Sequence, residues 1–82
     1  MPNNDERVQL FNIKLKQFKG SENIIIELLP HMENFSHADV ERAAVAVMKQ
    51  CILDGRRMFT KNDVEQAVIQ QEKLVSMRKT QY

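Results

Sequence analysis

Apolar residues recur three and four positions apart in four separate stretches of the chain, and this spacing places them on one face of an α-helix. In the first stretch, residues 5–19, the recurring positions are Val8, Phe11, Leu15 and Phe18. Acidic residues open this stretch and lysines close it, which complements the helix dipole. Gly20 follows where a left-handed residue commonly closes a helix. The pattern therefore predicts a first helix over residues 5–19.

The second stretch is shorter and covers residues 21–32, with an apolar face around Ile25 and Ser21 as a candidate N-cap. Three consecutive isoleucines also suit a buried strand. A single strand would leave its backbone hydrogen bonds unpaired, so we predict a helix. Pro30 lacks a backbone donor and clashes with the preceding turn, and it is therefore expected to break or end this helix.

The third stretch begins at Ser36 and has the clearest start. The Ser36 side chain can accept from the Asp39 amide while the Asp39 carboxylate reaches back, which is the reciprocal pairing of a capping box. Phe35 and Val40 stand at the two positions whose side chains pack together as a hydrophobic staple. Gly55 lies just past the expected end, where a left-handed residue closes a helix.

The fourth stretch opens in the same way, with Thr60 and Asp63 as a second capping box. One apolar face follows, formed by Val64, Ala67, Val68, Gln71 and Val75. We expect the helix to fray near Met77. Four helices with short linkers predict an all-α fold, a small four-helix bundle with antiparallel neighbours over residues 1–77, and a tail over residues 78–82.

Composition and charge narrow the function classes. The chain has 82 residues and a formal net charge of +1, so it lacks the basic excess of a general polyanion binder, and we expect no nucleic-acid partner. A helix-turn-helix interpretation of the last two helices is disfavoured because their linker is too long and acidic residues would face the phosphates. Arg56, Arg57, Arg78 and Lys79 are interpreted as solvated ends of helices. The longest apolar run, residues 24–26, is too short to span a bilayer, and the N-terminus does not have the pattern of a signal peptide. These features predict a cytoplasmic protein with no membrane partner.

The residues indicate no catalytic or metal site within the chain. Cys51 lies on the apolar face of the third helix and is interpreted as a buried structural thiol. His31 and His37 are six positions apart, whereas a metal pair on one helix face needs a spacing of four. The chain also lacks a G-x-x-x-x-G-K-[ST] loop, so it cannot cradle a triphosphate by itself.

The two capped helix starts, taken in order, resemble a known family. Residues 35–43, followed by residues 44–52 and 59–67, look like the C-terminal helical lid of an AAA-type (AAA+) ATPase. That family opens one lid helix with an aromatic residue, a small residue and Gly-Ala-Asp, and opens the last with Thr-x-x-Asp. The entry into its first lid helix is matched by Pro2, Arg7, Leu10, Phe11 and Leu15. The resemblance covers residues 2–72.

The resemblance implies a fold of the AAA+ lid type and a role in nucleotide binding. Such a lid completes the adenine pocket for ATP or ADP and couples the nucleotide state to contacts between ring subunits. The chain alone would not hydrolyse ATP, whereas its parent protein would be an ATP hydrolase. The implied partners are the parent's large α/β ATPase domain, which would bind the Mg²⁺, and neighbouring subunits of a homo-oligomeric ring, a hexamer.

The resemblance also carries over particular residues. The family's Gly-Ala pair, which contacts the adenine and ribose, falls on His37 and Ala38. An apolar contact to the base falls on Leu10, and a polar residue near the ribose or base falls on Lys14. His37 replaces the usual glycine and Lys14 replaces the common histidine. Arg42 lies about one turn beyond the place of a phosphate-sensing arginine and is interpreted as a surface residue.

Two further expectations concern partners. Residues 80–82 do not match the tail by which some family members dock on a protease, so we infer no such partner. The alternative to a lid is a free-standing helical interaction module, in its sharpest form a histone-like dimer. That fold requires a longer central helix than residues 36–53 provide, and a stable dimer would favour it.

Overall fold

The computed structural model describes residues 3–20 and 22–79, with side chains through Met77. Its α-helices are α1 (Asn4–Lys14), α2 (Glu22–Glu27), α3 (His37–Leu53) and α4 (Lys61–Lys79), and a 3₁₀ helix spans Leu29–Met32. Within these residues the only strand-like feature is one isolated bridge, between Lys19 and Met58. The prediction of an all-α, small four-helix bundle is therefore confirmed.

Helix α1 begins as a capped helix and ends earlier than its sequence predicts. The Asn3 side chain accepts a hydrogen bond of 2.8 Å from the Glu6 amide. The helix stops at Lys14 rather than at residue 19. Beyond it, the Lys19 amide donates to the Arg57 carbonyl at 2.8 Å, and the Lys19 carbonyl accepts from Phe59 at 2.9 Å. This pairing uses the backbone groups that a longer helix would need, so the predicted end is wrong.

Gly20 serves close packing rather than helix termination. A Cβ atom at Gly20 would lie 2.3 Å from Cζ of the Phe59 ring, which is buried. Among the described residues the left-handed conformation occurs at Gly55 and not at Gly20. The prediction of a left-handed cap at Gly20 is therefore wrong, and the glycine is needed because the ring covers its α-carbon.

We expect the Gly20→Ala variant to unfold with a free energy lower by about 1–2 kcal/mol, because the added methyl group must displace a buried ring. Urea denaturation of the variant and the parent measures this difference. In a Phe59→Leu background the ring atoms are gone, so the same substitution should cost much less. An equal cost in both backgrounds would show that the ring is not the cause.

The second predicted helix is divided in two. Helix α2 ends at Glu27, and Pro30 occupies the first turn of the following 3₁₀ helix. The helical prediction and the break at Pro30 are confirmed, since a proline is tolerated in a first turn but not in a helix interior. The candidate N-cap Ser21 lies outside the described residues.

Helix α3 begins and ends as the sequence predicts. The Ser36 amide donates to the Asp39 carboxylate at 2.9 Å, and the Asp39 amide donates to Ser36 Oγ at 3.3 Å, which confirms the capping box. At the other end Gly55 has a φ of +68°. The amides of Gly55 and Arg56 donate to carbonyls of the last turn at 3.1 and 2.8 Å, which is the hydrogen-bond pattern of a left-handed closure.

The second capping box is also present. At the start of α4 the Thr60 amide donates to the Asp63 carboxylate at 2.8 Å, and the Asp63 amide donates to Thr60 Oγ1 at 3.4 Å. The helix continues through Lys79, two residues past the predicted fraying at Met77. The rest of the predicted tail, residues 80–82, lies outside the described residues.

Helix α3 packs against both α1 and α4. It runs antiparallel to α4, as predicted, since Asp39 near its start contacts Gln71 well along α4, whereas Arg56 just after its end contacts Asp63 in the first turn of α4. It runs in the same general direction as α1, because Glu6 pairs with His37 and Lys14 pairs with Glu41 further along both helices. The largest fully buried apolar side chains include Phe11, Ile25, Met32, Phe35, Val40, Val47, Val64 and Val68. None of the described helices combines the length and apolar content that crossing a membrane requires.

Candidate functional site

The contact between α1 and the start of α3 brings together most of the residues that the resemblance points to. Glu6, Leu10 and Lys14 follow one another at four-residue spacing along α1. The Glu6 carboxylate lies 3.2 Å from His37 Nε2, and Lys14 Nζ lies 2.9 Å from the Glu41 carboxylate. We call these five residues the α1–α3 seam. One ion pair and one contact between an imidazole and a carboxylate thus connect the helices across it.

Leu10 lies between the two pairs in the sequence of α1 and is half-buried against the core. Three of the four predicted residues, Leu10, Lys14 and His37, therefore belong to the seam. Ala38 is exposed beside it, on the neighbouring face of α3. It lines a shallow concavity of about 510 Å³ that also includes Arg42. Arg42 is exposed, as the sequence interpretation expects.

The start of α3 offers unpaired backbone donors next to the seam. Ser36 caps the Asp39 amide, and the Val40 amide donates to the Ser36 carbonyl at 3.1 Å. The amides of His37 and Ala38 have no partner within the helix, because the first turn of a helix lacks preceding carbonyls. These donors and the positive end of the helix dipole favour a polar or anionic ligand group there.

The two histidines lie in separate pairs. His31 Nδ1 lies 3.4 Å from a carboxylate oxygen of Glu72, whereas His37 pairs with Glu6. In the described part of the chain, no three His, Cys, Asp or Glu side chains are close enough together to hold a metal ion. Cys51 is fully buried, and burial raises the pKa of its thiol. Its interpretation as a buried thiol is confirmed.

A buried arginine anchors the start of α1 to the chain entering α3. The Arg7 side chain is 5% exposed. Its two Nη atoms donate to the Asn4 side-chain carbonyl at 2.9 Å and to the Glu33 backbone carbonyl at 2.8 Å. Sequence reasoning noted Arg7 only as a family match. Its four-residue spacing from Phe11, on the buried face of α1, was the signal for burial.

A second buried polar contact joins α3 to α4. Asp39 is 1% exposed, and one of its oxygens accepts a hydrogen bond of 2.9 Å from Gln71 Nε2. The capping role of Asp39 was predicted from the sequence, but this contact over 32 positions was not. The signal was a glutamine in the middle of an apolar helix face, since a buried amide requires a partner.

The loop between α3 and α4 is closed by ion pairs that the sequence interpretation missed. Arg56 was expected to be a solvated helix end, and this is wrong. Its guanidinium donates to the Asp63 carboxylate at 2.8 and 3.0 Å and to Asp54 at 2.7 Å. The hydrogen bonds from Arg56 lower the pKa of Asp63 from 3.8 to about 2 despite its burial. They also lower the pKa of Asp54.

Comparison with known proteins gives one group of relatives. No family model matches the chain, and no solved structure matches it. The chain is related in sequence to part of an AAA ATPase.

The relatives in question are proteasome-activating nucleotidases. The chain is 36% identical to the protein of Saccharolobus solfataricus over an alignment of 83 residues, gaps included. This alignment covers 95% of this chain and 21% of that protein. It is 38% identical to the proteins of two strains of Saccharolobus islandicus over 69 residues, which cover 83% of this chain and 18% of each relative. The chain thus spans about a fifth of the length of the curated relatives it matches.

Proposed function

We propose that the chain acts as the lid subdomain of an AAA-type ATPase and completes the adenine pocket for ATP or ADP. The observation that carries the proposal is the α1–α3 seam, where Leu10 lies along α1 between two side-chain pairs that join this helix to α3, in a chain related to an AAA ATPase over 95% of its length. The seam and the adjacent residue Ala38 supply one wall of the pocket.

Each of these residues has a feature that suits this role. Leu10 offers an apolar surface against which a base can pack. The free amides at His37 and Ala38 offer hydrogen-bond donors, and the small side chain of Ala38 permits close approach of a ribose. Lys14 and His37 hold their positions through Glu41 and Glu6.

Charge supports an orientation of the nucleotide. Two of the five seam residues, Glu6 and Glu41, are carboxylates, and both are exposed enough to disfavour a phosphate group nearby. The base end of the nucleotide therefore fits the seam better than the phosphate end. We assign the phosphates and Mg²⁺ to a large α/β domain of the same protein, and nucleotide hydrolysis to that complete protein.

The same proposal includes the assembly. The partners are the large α/β domain and the neighbouring subunits of a homo-oligomeric ring, a hexamer, in the cytoplasm. The relatives are named for nucleotide cleavage and for activating a proteasome. We extend only a role in nucleotide binding to this chain, since the seam has features that suit a nucleotide.

We expect ADP to bind the isolated chain weakly, with a dissociation constant of about 1 mM or higher, because the rest of the pocket belongs to another domain. Titration of the ¹⁵N-labelled chain with ADP should shift the amide signals of Leu10, His37 and Ala38. Shifts elsewhere, or none, would contradict the proposal. Submicromolar affinity of this chain alone would contradict a shared pocket.

The Ala38→Glu variant should lose the response to ADP, because its larger, charged side chain would occupy the space through which the ribose approaches the free amides. An acidic residue in the first turn suits the helix dipole, so the fold should remain intact. Asn62→Glu is the matched control, because Asn62 is exposed and is the second residue of α4, as Ala38 is of α3. Equal losses in both variants would argue against the assigned site.

One observation favours the alternative, a free-standing interaction module that forms a histone-like dimer. Ile52, Leu53 and Met58 are exposed apolar residues near the end of α3 and the following loop. A surface of this kind is common at protein interfaces. Sedimentation at micromolar concentration distinguishes the two functions, since a stable dimer supports the module and a monomer supports the lid.

A further inference from the structure

The guanidinium of Arg7 is buried, and among the described residues none of its hydrogen bonds goes to a carboxylate. Both of its acceptors, the Asn4 side chain and the Glu33 backbone, are uncharged carbonyl groups. Its Nε is buried and has no hydrogen-bond partner among the described residues. An arginine is always charged, so this arrangement leaves a buried charge only partly compensated.

Such a group is a poor source of stability. Replacing a buried charged side chain by an apolar one of similar volume is often neutral or stabilising. The features of Arg7 therefore favour a role in positioning. Its planar guanidinium has fixed donor directions, so it can fix the relative positions of two acceptors at once.

The two acceptors lie at the beginnings of two helices. Asn4 is in the first turn of α1, and Glu33 lies three residues before Ser36, the N-cap of α3. The side-chain pairs of the seam, Glu6 with His37 and Lys14 with Glu41, lie at the surface and contribute little to holding the helices together. The buried guanidinium of Arg7, with one hydrogen bond at each helix start, restricts their relative position more strongly.

We propose that Arg7 is the positioning residue of the nucleotide site, because it fixes where the start of α3 stands relative to Leu10. This inference rests on the proposed function. Arg7 is itself too buried to contact a nucleotide, so it acts through His37 and Ala38. Without the hydrogen bonds of Arg7, the seam residues remain present, but the distance between α1 and the start of α3 is no longer fixed.

The test compares Arg7→Met, which keeps an apolar stem, with Arg7→Lys, which keeps the charge but cannot reach both acceptors. Exchange of the four hydrogen-bonded amides around the start of α3, those of Phe35, Ser36, Asp39 and Val40, should become about tenfold faster in Arg7→Met and change by an intermediate factor in Arg7→Lys. Exchange in the core of α4 should change much less. The ADP-induced shifts of His37 and Ala38 should weaken in the same order.

Arg57→Met is the matched control, because Arg57 is an exposed arginine outside this contact. It should leave both exchange and ADP response unchanged. Unchanged exchange at these four amides in Arg7→Met would overturn the inference, as would an equal acceleration along the whole chain. If the parent chain itself gives no ADP response, the proposed nucleotide function fails, whereas the exchange measurement still decides whether Arg7 positions α3.

Discussion

Replacing Asp39 by alanine is expected to lower the free energy of unfolding by about 3 kcal/mol, which corresponds to a fall of roughly 10–20 °C in the melting temperature. Two losses combine. The capping box of α3 is worth about 1 kcal/mol. The buried Gln71 amide, which donates to Asp39 at 2.9 Å, is left without its acceptor at a cost of about 1–3 kcal/mol. Thermal and urea unfolding of the variant measure the sum.

Three further variants separate these two losses. Ser36→Ala removes the side chain that accepts from the Asp39 amide and should cost about 1 kcal/mol. Adding Gln71→Leu to Asp39→Ala removes the orphaned amide and should restore part of the loss. Asp5→Ala removes an exposed first-turn carboxylate of α1 and should change stability by about 0.5 kcal/mol or less. A loss for Asp39→Ala no larger than that for Ser36→Ala would show that the contact with Gln71 contributes nothing.

The local features of this fold could be predicted from sequence because their causes lie within a few residues. Ser36 with Asp39 and Thr60 with Asp63 are three positions apart, so each capping box follows from the residue types alone. The left-handed closure at Gly55 is equally local. Such features fix where α3 and α4 begin and where α3 ends.

The errors arise where distant segments meet. Helix α1 stops early because Lys19 pairs with residues 57–59, which no pattern in the first twenty residues can reveal. The same meeting places the Phe59 ring over Gly20. Arg56 was misinterpreted for the same reason, since its acceptor Asp63 lies seven positions away across a loop.

The candidate site combines both kinds of information. Periodicity alone assigns no function to Leu10, Lys14 or His37, and these residues came from the family resemblance. Their closeness depends on the packing of α1 against α3, which the structure supplies. Their contact with a nucleotide stays a prediction. For Arg7 the order is reversed. The family motif contains this residue without an assigned role, and its buried hydrogen bonds in the structure indicate one.

Removing the guanidinium of Arg56 should destabilise the protein in a pH-dependent manner. At pH 7 we expect Arg56→Met to lower the melting temperature by roughly 10 °C, because the buried Asp63 carboxylate loses the donors at 2.8 and 3.0 Å. The loop between α3 and α4 also loses its link to Asp54. The pKa of Asp63 should rise in the variant, since the hydrogen bonds from Thr60 then oppose the effect of burial without those from Arg56.

The sign of the pH effect follows from the lowered pKa of Asp63. A group whose pKa falls from 3.8 to about 2 on folding stabilises the protein above the higher value, and this contribution is lost as the pH falls toward the lower one. The parent protein should therefore lose stability between pH 4 and pH 2, and its advantage over Arg56→Met should shrink over the same interval. Arg57→Met, which alters the adjacent exposed arginine, should follow the parent at every pH. A difference between parent and Arg56→Met that is constant from pH 7 to pH 2 would mean that the pair with Asp63 is not its source.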